Sequence, residues 1–190
     1  RGLHAPAWSG GECVQANGQR WSIVWIRYLA AICVVLTVSV SAAKPSVAGY
    51  ASIVIDAQTS QVLHEVNADT LNYPASLTKM MTLYVTFEAL KGGRITLNKA
   101  VPVSEHAASQ SPTKLGLRPG QTIAVVDIIM ALITKSANDA AVAIAEEIGG
   151  TEWNFAEMMT AKAAELGMNH TVFRNASGLP DLDQVSTARD

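Results

Sequence analysis

Tyr73-Pro74-Ala75-Ser76-Leu77-Thr78-Lys79-Met80-Met81-Thr82 is the stretch on which the fold turns. Pro74 interrupts what precedes it, because its ring fixes φ and removes an amide donor. Over 76–91 the apolar residues Leu77, Met80, Met81, Tyr84, Phe87 and Leu90 follow helical spacing, and Gly92-Gly93 closes the run. Ser76 and Lys79 then lie one turn apart on one helical face. They also lie in the first turn, where backbone amides have no partner within the helix and point at any developing anion. A hydroxyl needs a base to become a nucleophile, and a lysine made neutral by burial can serve. The plainer reading is a capping serine followed by an exposed lysine, and the pair alone leaves both open.

Upstream, 51–56 and 61–65 alternate in Ile- and Val-rich fashion around the polar turn 57–60, which predicts a hairpin. Downstream, 95–103 is short and extended, with Pro102 demoting it to an edge or a loop. Two prolines and two glycines make 109–120 a loop. The nearly all-apolar 124–134 predicts a buried helix. A helix over 137–148 follows, ending at Gly149-Gly150, and Thr151 caps another over 152–166, ending at Gly167. Gly178 and Pro180 make 175–183 a long turn. Two strands followed mostly by helices predict a mixed α/β fold.

Ser-x-x-Lys is a weak pattern, expected about half a time by chance in this composition, and it occurs three times. Ser41…Lys44 adjoins an N-terminal apolar run, and Ser111-Pro112-Thr113-Lys114 lies in a loop with no helical face to align its ends. Only Ser76…Lys79 opens a strongly apolar helix. Ser136-Ala137-Asn138 adds weight as the sole Ser-x-Asn in the chain, at a break between two apolar helices. Polar side chains there need partners. A second hydroxyl can relay a proton to a leaving amine, and an amide can hold a substrate carbonyl and orient a lysine. The alternative is a helix cap at Ser136 or Asn138, with Asp139 complementing the helix dipole.

Ser76-x-x-Lys79 followed by Ser136-x-Asn138 resembles the penicillin-binding and serine β-lactamase superfamily. The flanking text narrows the likeness. The block 73–82, then Lys135-Ser136-Ala137-Asn138-Asp139-Ala140-Ala141, then Phe173-Arg174-Asn175-Ala176-Ser177-Gly178-Leu179-Pro180-Asp181, is similar to the low-molecular-mass serine D-alanyl-D-alanine carboxypeptidases. The similarity runs from about 50 to 190. It implies a β-lactamase/DD-peptidase-like fold, an antiparallel sheet packed with a helical region, with the site at their junction. It implies Ser76 as acyl-forming nucleophile, Lys79 as its proton acceptor, Ser136 as proton shuttle and Asn138 as holder of the substrate peptide. The substrate would be the D-Ala-D-Ala end of the peptidoglycan pentapeptide, and β-lactams would acylate Ser76 as its mimics. No metal or cofactor is implied. The same superfamily also holds endopeptidases of peptide cross-links, β-lactamases and non-catalytic penicillin- or peptidoglycan-binding proteins. The superfamily's third motif, Lys-Thr/Ser-Gly on a core strand, does not occur in these residues. In the family it lies downstream of a position equivalent to 190, so the expectation is an N-terminal part of the domain, inactive alone.

The 190 residues carry a formal charge of −2, are 49% apolar and only 16% charged. That excludes a disordered charged chain and a polyvalent nucleic-acid binder. Two cysteines exclude a disulfide-dense scaffold and a four-cysteine zinc site. The low charge has a local source. No acid occurs over 13–55, Arg20 and Arg27 precede 28–43 with thirteen apolar residues in sixteen, and Ser41-Ala42-Ala43 and Ser46-Val47-Ala48 follow. This is the layout of an export signal, and the apolar run is shorter than the ~20 residues a spanning helix needs. The expected organisation is an unassigned extension 1–19, a signal over 20–48 and the enzyme domain from 49, in the periplasm or on the outer face of the cytoplasmic membrane. Cys33 sits mid-run after Ile32, so lipidation is not expected, and cleavage after Ala48 would leave no cysteine. Residues 49–190 hold 10 basic and 15 acidic side chains, a net −5 that disfavours nucleic acid. The first methionine is Met80, and Ser186-Thr187-Ala188-Arg189-Asp190 predicts the start of a further helix, with Ser186 as cap. The resemblance also allows a segment beyond 190 that attaches the protein peripherally to the inner membrane.

Other candidates lead elsewhere. Glu165 and Asn169 mimic a deacylating pair, but Gly167 between them predicts a helix exit. His64, His106 and His170 have no metal-ligand spacing, and no Gly-x-Ser-x-Gly elbow occurs. The sequons at Asn169 and Asn175 are discounted, being common by chance.

Overall fold

A computed structural model describes residues 49–190. The signal segment, Cys13, Cys33 and the Ser41…Lys44 pair lie outside the described residues. Strand β1 (Ser52–Ile55) pairs antiparallel with β2 (Val62–Val66). Asp56 shapes the turn between them, its Oδ1 accepting from the Thr59 amide at 2.7 Å and the Gln58 amide at 3.1 Å. A single 3-10 turn (Ala75–Leu77) then runs into α1 (Thr78–Lys91). Strand β3 (Ala100–Pro102), α2 (Glu105–Ser109), β4 (Thr122–Ala124), α3 (Val125–Lys135), α4 (Asn138–Gly149) and α5 (Glu152–Glu165) follow. β3 and β4 form a second antiparallel pair, with Pro102 at its end, where a missing amide costs no ladder bond.

α4 is the hub. It packs against α1, α2, α3, α5 and β3, and Ala140 through Ala145 are fully buried. Four alanines in that run keep the helix thin, so neighbours approach closely while Val142 and Ile144 fill the space between. At its end Gly149 meets α5: a Cβ there would fall 2.8 Å from the Cβ of Phe155. Phe155 is itself fully buried.

The nearly all-apolar 124–134 predicts a buried helix, and the structure corrects this. Val125, Ile128, Ile129, Ala131 and Leu132 face the core, whereas Val126, Met130 and Ile133 are exposed. The more completely covered helix is the less hydrophobic α4, buried from Asn138 to Ala145, because position in the layer decides burial. A second set of apolar side chains also lies open among the described residues: Leu77, Met80, Tyr84 and Phe87 on α1's outer side, with Val54, Ile55 and Leu63 on the hairpin.

Ser186 does not cap a helix. It forms an antiparallel bridge with Asn72, each amide donating to the other's carbonyl, at 2.9 Å and 2.7 Å. A neighbouring bridge joins Val172 and Val185. The capping-type bond appears one residue later, where Thr187 Oγ1 accepts from the Asp190 amide at 3.0 Å. Over 95–103 only Ala100–Pro102 is a strand. α2 went unpredicted, although Ser104 caps it by accepting from the Ala107 amide at 2.9 Å.

Candidate active site

The plainer reading of Ser76 and Lys79 fails on both counts. No side-chain bond caps the 3-10 turn or α1, and Lys79 is 3% exposed while Ser76 is open to solvent. Ser76 follows Ala75, whose φ of +47° puts a non-glycine residue in the left-handed region. Such a conformation costs on the order of 1–2 kcal/mol. The Lys79 ammonium donates to the Ser177 carbonyl at 2.5 Å. Loss of water around it pulls its pKa from 10.5 to about 8, so about a tenth of it is neutral at pH 7 and half near pH 8.

The loop 174–179 is laid onto α1 by consecutive carbonyls. Ser177 O takes Lys79, and Ala176 O accepts from Thr82 Oγ1 at 2.6 Å. Asn175 Oδ1 holds the loop's bend, accepting from the amides of Gly178 at 2.7 Å and Ser177 at 3.2 Å. Its Nδ2 donates to Leu179 O at 3.0 Å. Buried Gln184 accepts from the Arg174 and Asn175 amides at 2.9 and 3.1 Å. Gly178, at φ +83°, lies so close to the Ala75–Ser76 segment that a Cβ would sit 1.8 Å from Ala75 O and 3.1 Å from Ser76 N. The sequence reading gave these residues no task. The Asn175-Ala176-Ser177-Gly178 string is an Asx-turn signal that could have suggested one.

Neither Ser136 nor Asn138 is the N-cap of α4. Ser136 is the left-handed residue ending α3, φ +55°, and half-buried. Ala137 is the N-cap residue of α4, without a side-chain bond. Asn138, 4% exposed, donates its amide to Thr113 O at 2.8 Å and Nδ2 to Ser111 O at 3.1 Å. Ser111 thus serves through its carbonyl, from the loop predicted for it. Asp139 does more than complement a dipole. Fully buried, its carboxylate accepts from the amides of Leu115, Gly116, Leu117 and Ala140 at 2.9–3.1 Å. α1 and α4 pack together, with Lys79 and Asn138 each in a first turn. The bonds around them run outward, to the 174–179 and 111–117 loops. No hydrogen bond joins the four named side chains to one another among the described residues.

A groove of about 630 Å³ runs along the other side of α1, lined by Leu77, Met80, Met81, Tyr84 and Phe173 among others, and takes in none of the four. Glu165 ends α5 and pairs with Lys162, a helix exit as predicted. Among the described residues no three of His, Cys, Asp and Glu gather into a metal-binding group, and no helix is long and apolar enough to cross a membrane.

Known structures share this architecture. Penicillin binding protein 5 of Haemophilus influenzae superposes with a TM-score of 0.71 at 36% identity, over 77% of this chain and 44% of that one. The fold is therefore that of the penicillin-binding DD-peptidases. A family profile described as D-alanyl-D-alanine carboxypeptidase matches residues 38–190, and the chain belongs to that family. Relatives include D-alanyl-D-alanine carboxypeptidase DacF of Bacillus subtilis, 39% identical over 73% of this chain. DacC of Escherichia coli is 40% identical over 77%. The chain spans 36% and 38% of the length of these two relatives.

Proposed function

We propose that these residues carry the nucleophile half of a serine-type D-Ala-D-Ala carboxypeptidase. In the whole protein, Lys79 as free amine takes the proton from Ser76 Oγ. The oxygen attacks the carbonyl of the penultimate D-Ala, and the tetrahedral anion meets first-turn amides of the Ser76 segment. Ser136 relays that proton from the Lys79 ammonium to the departing amine as the C–N bond breaks, so that the terminal D-Ala leaves and an acyl ester remains on Ser76. Water then cleaves the ester. Asn138 holds the substrate peptide. The observation that carries the reading is Lys79: a lysine 3% exposed, one residue-turn from an exposed serine, with its pKa drawn to about 8. A general base works best with a pKa near the operating pH.

The proposal extends to what lies around these residues. A strand bearing Lys-Thr/Ser-Gly would cover the open apolar side of α1 and the hairpin and supply the second oxyanion donor. Residues 1–190 alone would then be inactive toward penicillin. Residues 20–48 would direct export and be removed, placing the domain in the cell envelope, peripherally attached to the membrane in the whole protein. The test is release of D-Ala from a peptidoglycan pentapeptide by the full-length protein and by Ser76→Ala. Release by the first and none by the second supports the reading, and equal release by both defeats it. Cleavage of cross-linked dimers in preference to the pentapeptide would reassign it as an endopeptidase.

A further inference from the structure

We infer that Glu152 is a positioning residue for Lys79, acting through the 174–179 loop; the inference rests on the roles proposed above for Ser76 and Lys79. An acid in the first turn of α5, just after the Thr151 cap, satisfies the helix dipole without any partner. Glu152 instead turns away from solvent, its side chain only 14% exposed, and both of its oxygens are engaged. Oε1 accepts from the Ala176 amide at 3.0 Å, and Oε2 lies 2.6 Å from His106 Nε2 on α2.

The Ala176 residue is thereby gripped from two helices. Its amide is held by α5 through Glu152, and its carbonyl by α1 through Thr82. The very next carbonyl, Ser177 O, receives the Lys79 ammonium. The loop's remaining side-chain ties come from Asn175 and Gln184, which belong to the same 172–186 stretch. Thr160, also on α5, holds the adjoining Phe173 by accepting from its amide at 2.9 Å, and Glu152 is the α5 side chain that reaches Ala176 itself. His106 engages the second oxygen, which favours the carboxylate orientation that faces Ala176. Without Glu152 a part-buried amide loses its acceptor, and Ala176 is held from one side only, by Thr82 on its carbonyl, which loosens the placement of the next carbonyl, Ser177 O. Lys79 would then lose its set orientation toward Ser76. A misplacement of about 1 Å can cost on the order of a hundredfold in rate.

The test uses the full-length protein and the rate of acylation by a fluorescent penicillin. Glu152→Ala is expected to lower the rate at saturating penicillin by about ten- to a hundredfold, with half-saturation changed less than about twofold. Glu152→Gln keeps an acceptor for Ala176 and is expected to recover to within about threefold of wild type. A wild-type rate in Glu152→Ala overturns the inference, and so does a glutamine variant as slow as the alanine one. Hydrogen exchange at the Ala176 amide of the wild type is a second readout that needs no variant to fold. Strong protection is expected, and free exchange overturns the tie. If the wild type itself is not acylated, the proposed function has failed. If the wild type is acylated and Glu152→Ala keeps pace, the positioning role alone has failed.

Discussion

Replacing Gly178 with alanine tests whether the 174–179 loop and the Ala75–Ser76 segment are one mechanical unit. The new Cβ would lie 1.8 Å from Ala75 O, 2.4 Å from Ala75 C and 3.1 Å from Ser76 N. All three are backbone atoms, so no rotamer change relieves the clash. Restoring an ordinary contact requires the loop and the Ala75–Ser76 segment to part by about 1.6 Å or more. Gly178 also has φ +83°, which adds about 1–2 kcal/mol for an L-residue. Overpacking of this kind adds about 1–3 kcal/mol. The expected total is a loss of about 2–5 kcal/mol in stability, with a fall in Ser76 acylation on the order of a hundredfold. Gly93→Ala is the control: its φ is +70° but nothing lies within 4 Å of the added carbon, so it isolates the dihedral cost. Urea unfolding gives the stability, and stopped-flow penicillin acylation gives the rate, both on the full-length protein. If Gly178→Ala matched Gly93→Ala in both, the close approach would not matter and the reasoning would be wrong.

The pH dependence of stability has a defined sign at Lys79. Its pKa falls from 10.5 to about 8 on folding, so between those values the unfolded chain holds a proton that the native one lacks. Native stability should therefore rise with pH across that window, by about 3 kcal/mol, and Lys79→Met should lack this rise when unfolding is followed by urea at pH 7 to 10. Acylation of Ser76 should climb through pH about 8 for the same reason. Thr78 is fully buried, with a hydroxyl that finds no partner among the described residues; Thr78→Val should leave the melting temperature unchanged or raised, by up to about 1 kcal/mol in stability. Asp139→Asn turns an amide group toward four backbone donors and should cost about 2–4 kcal/mol by denaturant unfolding.

Much of this architecture could be read from the chain, for reasons that also show where reading stops. The hairpin, α1, α4 and α5 announce themselves through alternation, helical spacing and terminal glycines, which are local signals. α2 and β4 span five and three residues, too short for periodicity to register. The burial expected of α3 is only half met, because composition says how apolar a helix is, and only packing says what covers it. Ser186 looked like a cap because serine before an acidic turn is a local pattern, whereas its partner Asn72 lies far off in sequence. The site divides the same way. Ser76, Lys79, Ser136 and Asn138 could be picked out by pattern and resemblance. The burial that shifts Lys79, and the supports given by Glu152, Asn175, Gly178 and Gln184, depend on contacts across the fold. Asp139 stood inside a recognised block, yet its four amide partners come mostly from a loop over twenty residues earlier.

The central claim is that Ser76 is the acylated nucleophile. The most direct measurement is mass spectrometry of the full-length protein after brief exposure to penicillin, followed by peptide mapping. The account predicts one penicilloyl group, on the peptide containing Ser76, and none in Ser76→Ala. A label on another serine, or undiminished labelling of Ser76→Ala, would contradict it.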